Sequence, residues 1–400
     1  MPATPILFCS HVVELGGAEM VLLDVLGELD RERFEPHLAI PGDGPLASRA
    51  AELGVPLHEV PLAGQSPLGK AMAAWRTRRP LRELATKLNC HVLVANSMIA
   101  GYAAVLAQRP GLACIWHLHA VLESRIAHRA LRRAAQVIAP SQAALDAAKL
   151  VNGIRIDNGV PEQFFGDPSA SGAGSSLLDG SADRTATSNL RRDRGIPTEA
   201  ALLGIIGRLD PHKGHEVLLR SLAGESVRKQ WPTANAPHLA IAGAELFVES
   251  QTRLGGFEDQ MRSLVATLGL NAQVHWLGEL RDPSTLLPQL DALVVPSIRL
   301  ESAPRTIAEA QAARCPVIAS DIGGVAEMLE NGMAGLLVPP NDAVALGKAL
   351  TRALTDQAWR EQTVLRARQR AEQHYRVSTF VRRCEAVFAQ TNTAAVAKAR

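Results

Sequence analysis

Two carboxylates, Glu301 and Glu309, bracket the stretch Leu300-Glu301-Ser302-Ala303-Pro304-Arg305-Thr306-Ile307-Ala308-Glu309-Ala310, where a buried strand over Ala292 to Pro296 gives way to a helix. Residues 303–306, Ala303, Pro304, Arg305 and Thr306, open that helix. Its free backbone N–H groups and positive dipole end can hold a diphosphate. Pro304 suits a first-turn position, where a missing N–H costs nothing. Glu309, about two turns along, can accept paired hydrogen bonds from a ribose diol, while Glu301 stays at the mouth to meet sugar hydroxyls. The competing reading is a loop carboxylate followed by a solvated helix residue.

A second cluster, Leu203-Gly204-Ile205-Ile206-Gly207-Arg208-Leu209-Asp210-Pro211-His212-Lys213-Gly214, ends a strand in two cations ahead of a helical pattern at Val217, Leu218, Leu219 and Leu222. Arg208 and Lys213 thereby fall at the carboxyl end of a strand, the ligand-binding edge of open α/β sheets. Arginine grips phosphate oxygens bidentately and lysine adds a point charge. A third segment, Ser320-Asp321-Ile322-Gly323-Gly324-Val325-Ala326-Glu327, follows the apolar strand Pro316 to Ala319. Its glycine pair permits backbone to approach a ligand closely, or simply starts a helix at Gly324.

With these clusters the chain resembles the retaining glycosyltransferases of family 4, which share the two-domain GT-B fold. Other motifs agree in order: Glu14-Leu15-Gly16-Gly17-Ala18-Glu19, His119 in Trp116-His117-Leu118-His119-Ala120, and Asn158-Gly159-Val160. The resemblance covers nearly the whole length. It implies that Arg208 and Lys213 neutralise a donor diphosphate, Glu309 binds the nucleotide ribose, Glu301 contacts the donor sugar and His119 faces that sugar from the other domain. Gly16 and Gly17 belong to a loop in which Gly17 brings a backbone N–H to diphosphate or sugar. The turn Gly278-Glu279-Leu280 would lie near the base. The chain departs from the family pattern at Ala303-Pro304, where Phe-Gly is common, and at Ala120, where an Asp often stands.

Charge suggests how such a site would work. Breaking a glycosyl–phosphate bond builds negative charge on the departing diphosphate, and preorganised cations and helix N–H groups stabilise it. No Asp-x-Asp pair occurs in the chain, so we expect neither a metal nor another cofactor. No carboxylate is clearly placed as a nucleophile, in keeping with the family's retaining chemistry. His119, and His117 beside it, are alternatively strand-end histidines satisfied by local hydrogen bonds.

The elements that must position these groups form an α/β pattern of short apolar strands alternating with helices. Strands are expected near Ile6 to Phe8, His37 to Ile40, His58 to Pro61, His91 to Ala95, Ala113 to His117, Val137 to Ala139 and Ile154 to Ile156. A second set is expected at Leu202 to Ile206, Leu239 to Ala242, Gln273 to Leu277, Ala292 to Val295, Val317 to Ala319 and Gly335 to Val338. We therefore expect an acceptor-side Rossmann-like domain over 1–165, a flexible Ser/Ala/Gly-rich insertion over 166–189 and a nucleotide-sugar domain over 190–374. Residues 375–400 are the crossover helix and tail. By the resemblance the two parallel-sheet domains face each other across a cleft, and the final helix, with Tyr375 to Ala389 as its candidate, crosses back to the first domain.

Length and composition agree. A chain of 400 residues exceeds what one core usually supports, and 47% apolar residues supply two. A formal net charge of +2 argues against a general nucleic-acid binder. The five cysteines are scattered and show neither disulfide nor metal spacing, as buried thiols in a cytoplasmic enzyme would be. No basic stretch leads into a long apolar one, so no signal peptide or spanning helix is indicated.

The expected partners are a nucleotide-sugar donor and a sugar or lipid-linked sugar acceptor, in the synthesis of cell-surface polysaccharide, glycolipid or a related glycoconjugate. Cations at Trp75-Arg76-Thr77-Arg78-Arg79-Pro80-Leu81-Arg82, and at Arg125, Arg129, Arg132 and Arg133, suit a peripheral seat on an anionic membrane. They equally suit a solvated face whose Arg stems cover apolar surface. Two further function classes stay open: a non-catalytic nucleotide-sugar binder, and another GT-B enzyme such as a sugar-nucleotide epimerase or a phosphorylase.

Overall fold

The computed structural model describes residues 2–62, 67–121, 124–166, 190–231, 236–245, 256–280 and 282–399. Contacts divide the chain into two compact units, Met1–Gly159 with His374–Arg400, and Val160–Gln373. The expected insertion lies, apart from Gly166, outside the described residues. The sequence puts the first boundary at 165, whereas residues 160–165 group with the second unit. The physical reason is local: Phe164 and Phe165 are buried, and the Phe165 carbonyl accepts a hydrogen bond from Arg368 at 2.8 Å.

The first unit is built on seven parallel strands: β1 (Thr4–Cys9), β2 (Phe34–Ile40), β3 (Leu57–Glu59), β4 (Val92–Ala95), β5 (Ala113–His117), β6 (Gln136–Ala139) and β7 (Ile154–Arg155). Their order is β3-β2-β1-β4-β5-β6-β7. The central strands β1 and β4 are apolar on both faces because both are covered. Ile6 and Phe8 of β1, with Val92 and Val94 of β4, join one core. Leu7 and Cys9, with Leu93 and Ala95, point the other way into a second core, as the two-residue strand period requires. The last helix, Val377–Ala399, completes the first core with Val377, Phe380, Val381 and Phe388. The Phe388 ring meets Phe8 edge-on at 5.8 Å. Burying Phe380 and Phe388 contributes about 1.5–3 kcal/mol each, which accounts for the terminal helix joining this unit.

The second unit holds six parallel strands: β8 (Leu202–Ile206), β9 (His238–Ala242), β10 (Val274–Gly278), β11 (Ala292–Val295), β12 (Val317–Ser320) and β13 (Leu336–Val338), in the order β10-β9-β8-β11-β12-β13. All thirteen expected strands are present, three of them with the expected bounds (Ala113–His117, Leu202–Ile206 and Ala292–Val295) and the others with ends shifted by at most three residues. Both units are the parallel α/β sheets that the resemblance implies. All five cysteines are buried and free. Among the described residues no helix is long and apolar enough to cross a membrane.

Candidate active site

In each sheet the chain reverses its direction of growth at one place. After β8 it adds β9 and β10 on one side and returns to add β11, β12 and β13 on the other. The loops after β8 and β11 therefore diverge and leave a crevice at their carboxyl ends, the usual ligand position in such sheets. Arg208 and Lys213 follow β8; Glu301 and the helix Arg305–Ala312 follow β11.

The two loops are stitched together by backbone. Ile298 N–H donates to the His212 carbonyl at 2.8 Å, and Gly324 N–H, from the loop after β12, donates to the Glu301 carbonyl at 2.9 Å. Glycine is required at two of the crossings. A Cβ on Gly214 (φ +75°) would stand 1.9 Å from the Pro296 oxygen, and one on Gly323 (φ +53°) would stand 2.0 Å from the Glu301 oxygen. The left-handed backbone is itself costly for other residues.

Side chains complete the cluster. The Lys213 ammonium lies 2.6 Å from Glu301 Oε1, which also accepts a hydrogen bond from the Ser297 hydroxyl at 2.9 Å. Glu301, which the sequence places at the mouth to meet sugar hydroxyls, is thus already engaged by Lys213 and Ser297. Arg208 is exposed on the same loop as Lys213, and no hydrogen bond joins it to the Lys213–Glu301 pair. Glu309 is 4% exposed, against the alternative of a solvated helix residue, and its Oε1 lies 2.6 Å from Arg305 Nε. A carboxylate has about four lone-pair sites, so this pairing still permits further acceptance.

The helix opens two residues later than expected. Pro304 (φ −59°, ψ 117°) is its N-cap and Arg305 its first residue, so Ser302 and Ala303 are loop rather than helix start, while Glu301 lies in the loop as expected; Thr306 lies in the first turn. Gly324 is the N-cap of the short helix Val325–Met328, bearing out the helix-start reading there. At the end of β10, Gly278 is exposed with φ +70°. Its carbonyl accepts from Gly243 N–H at 2.7 Å, and Leu280 is half-buried. Among the described residues, no group of three or more His, Cys, Asp or Glu is placed to hold a metal ion.

The first unit repeats the design. Its sheet reverses at β1, between β2 and β4. Gly16, in extended conformation, is the N-cap of the helix Gly17–Glu28. A Cβ on Gly17 would meet nothing within 4 Å, so the fold itself does not demand glycine there. His119 follows β5, and its Nε2 lies 2.8 Å from Asn96 Oδ1. The His117 and His119 ring centroids are 4.2 Å apart. Burial, with neighbouring His117 as a second cause, holds His119 well below the ordinary histidine range; burial pushes His117 down to about 4.

Of the basic stretch, Arg82 donates to the carbonyls of Leu106 and Ala107 at 2.8 Å, capping the helix Met98–Ala107. Arg79 pairs with Glu83 at 2.7 Å. The Arg78 guanidinium covers the Trp75 ring at 3.9 Å. Arg125, Arg129, Arg132 and Arg133 are exposed. Sequence reasoning missed Ser297 and Asn96. The one available signal is a polar residue directly after an apolar strand, in Val295-Pro296-Ser297 and Val94-Ala95-Asn96.

Comparisons with known proteins bear on this geometry. Residues 186–371 match the family model described as glycosyl transferases group 1, and residues 15–163 match glycosyltransferase family 4. The chain is 30% identical over 194 residues to D-inositol 3-phosphate glycosyltransferase of Corynebacterium efficiens, covering 48% of this chain and 42% of that protein. An uncharacterised glycosyltransferase of Methanocaldococcus jannaschii is 29% identical over 189 residues, 47% of this chain and 44% of its own. These matches span less than half the length of either curated relative. In fold, the chain is similar to Anabaena HepE, solved with UDP-glucose (TM-score 0.77, 23% identity, 96% of this chain and 99% of that one). It is also similar to a glycosyltransferase of Rickettsia africae (TM-score 0.78, 20% identity, 98% and 99%).

Proposed function

Because this chain belongs to the glycosyltransferases of group 1 and family 4, we propose that it moves a glycosyl group from a nucleoside-diphosphate sugar to an acceptor hydroxyl. The observation that carries this reading is the cluster of Lys213, Glu301 and Ser297 at the β8/β11 divergence, beside the start of the helix Arg305–Ala312. Lys213 and Arg208 would meet the diphosphate, whose negative charge grows as the glycosyl bond breaks. Lys213, held in place by Glu301 before reaction, stabilises that charge without reorganising, and Arg208 adds a second positive charge. The N–H groups of the first helical turn add to the same field.

Glu309, fixed by Arg305, would accept the ribose hydroxyls. Glu301 would hold Lys213 in position and meet the donor sugar, and Gly278 and Leu280 would border the base. The Gly16-Gly17 loop and His119 would contact the transferred group. In this account the protein's own cations stabilise the departing diphosphate, the task a metal ion would otherwise perform, so we expect the reaction to need no metal. Retention of configuration follows if the acceptor attacks on the face that the diphosphate leaves. A role in cell-surface polysaccharide or glycoconjugate synthesis, at the cytoplasmic side of a membrane, fits a lipid-linked acceptor. Exposed Trp75 and Ile126, at 59% and 75%, among arginines support a peripheral membrane seat.

Nucleoside diphosphate release, followed across UDP-, GDP- and ADP-sugars with and without EDTA, tests the reading. One donor should be turned over and chelation should leave its rate unchanged. Saturable binding with no release from any donor would favour a non-catalytic binder instead.

A further inference from the structure

Ser297 and Glu301 close a short loop after β11. The residues between them, Ile298, Arg299 and Leu300, are exposed, so core packing does not set the shape of this loop. Polar closures set it instead. The Pro296 carbonyl lies against Gly214, where an added Cβ would stand 1.9 Å from its oxygen, and Ile298 N–H donates to the His212 carbonyl at 2.8 Å. Ser297, 1% exposed, is thereby held on both sides by the loop that carries Lys213. Glu301 is held at its backbone, where its carbonyl accepts from Gly324 N–H at 2.9 Å. Its long side chain still needs an anchor.

The Ser297 hydroxyl supplies one. A carboxylate only accepts, so the serine donates, and its oxygen lies 2.9 Å from Glu301 Oε1. The Lys213 ammonium donates to the same Oε1 at 2.6 Å. Two donors fill the lone pairs of that oxygen, whereas Oε2 receives no hydrogen bond among the described residues and keeps its accepting capacity. We propose that Ser297 is a positioning residue that fixes the Glu301 side chain so that Oε2 is the atom offered to a hydroxyl of the donor sugar. Resting on the glycosyltransferase reading, this divides the carboxylate between two tasks. Oε1 holds the lysine that meets the diphosphate, and Oε2 holds the sugar. Ser297 thereby sets the sugar relative to the diphosphate, the two parts between which the glycosyl bond breaks.

The test is a double-mutant cycle of Ser297→Ala and Glu301→Ala in the full chain, using the donor that releases nucleotide in the screen of UDP-, GDP- and ADP-sugars, and its free diphosphate. Ser297→Ala should lower kcat about ten- to a hundredfold, as a misplaced contact can. Calorimetric affinity for the free diphosphate should change by less than about threefold, because the lysine is a point charge that still meets it. Ser297→Cys, of similar size and a weaker donor, should fall between wild type and Ser297→Ala. In the Glu301→Ala background, Ser297→Ala should slow turnover no further. An undiminished kcat in Ser297→Ala, losses that add, or a diphosphate affinity that falls in step with kcat would overturn the proposal and leave the proposed activity standing. In a protein that turns over none of these donors, the cycle is read on calorimetric affinities for UDP-, GDP- and ADP-glucose. Losses that do not add would then keep the positioning role without the activity, and losses that add, or no binding at all, would overturn both.

Discussion

Lys213 and Glu301, 88 residues apart in the chain, meet at 2.6 Å where the loops after β8 and β11 diverge. Each is partly exposed, with side chains 27% and 20% accessible, so their attraction adds little to folding. It fixes where the lysine charge sits. Lys213→Ala should lower kcat by about 10²–10³, in the range seen when one transition-state charge stabiliser is removed, with unfolding free energy changed by less than about 1 kcal/mol. Steady-state kinetics and urea unfolding on one preparation check both halves. A near-normal rate contradicts the assigned role.

Glu309 differs because its charge is buried beside Arg305 at 2.6 Å. Breaking such a pair costs about 3 kcal/mol, so Glu309→Ala should lower the urea midpoint as well as weaken donor binding. Lost charged hydrogen bonds to a ribose, about 1.5–3 kcal/mol, correspond to a donor KM raised about ten- to a hundredfold. An unchanged KM in a destabilised variant would reduce Glu309 to a structural residue.

Gly323 and Gly17 should respond oppositely to alanine. Gly323→Ala forces a Cβ to 2.0 Å from the Glu301 oxygen in a left-handed backbone, costing at least about 1–3 kcal/mol and displacing the Lys213–Glu301 pair. Gly17→Ala meets no protein atom and should change stability by less than about 1 kcal/mol while slowing turnover. Thermal unfolding and turnover of the two variants decide the point; a fully active Gly17→Ala would mean that no ligand approaches that backbone.

His117 and His215, at 4% and 2% exposure, are both held near pKa 4 by burial, against an ordinary 6.5. Folded, they stay neutral until about pH 4, whereas the unfolded chain takes up their protons near pH 6.5. The unfolded state binds more protons in that window. Stability is therefore complete above about pH 6.5 and falls toward pH 4, by about 1.4 kcal/mol per pH unit per histidine. Urea midpoints measured from pH 7.5 to 4.5 should show the decline, and His215→Gln should remove one increment of it. A flat profile would contradict the neutral burial of these rings.

Much of this architecture is legible in the sequence because parallel strands buried on both faces are short uninterrupted apolar runs, as in Leu202–Ile206 and Ala113–His117. The cations after β8 and the glutamates around the helix Arg305–Ala312 are likewise visible as breaks in apolar patterning. What periodicity cannot report is pairing across distance. Lys213 finding Glu301, Asn96 finding His119, and the Gly323 backbone lying on Glu301 depend on which strands become neighbours. The Arg305–Glu309 pair, four residues apart on one helix, was within reach of the sequence, whereas the burial of Glu309 depends on what packs over that helix. Pro304 was read two positions too far into its helix because proline fits both the cap and the first turn.

The central claim, a diphosphate gripped by the loops after β8 and β11, is tested most directly by calorimetric affinities for nucleoside mono- and diphosphates of the preferred base. The diphosphate should bind at least about tenfold tighter, a difference of about 1.4 kcal/mol, and that margin should vanish in Arg208→Ala/Lys213→Ala while the monophosphate affinity persists. Equal affinities in the wild type, or a margin that survives loss of both cations, would contradict it.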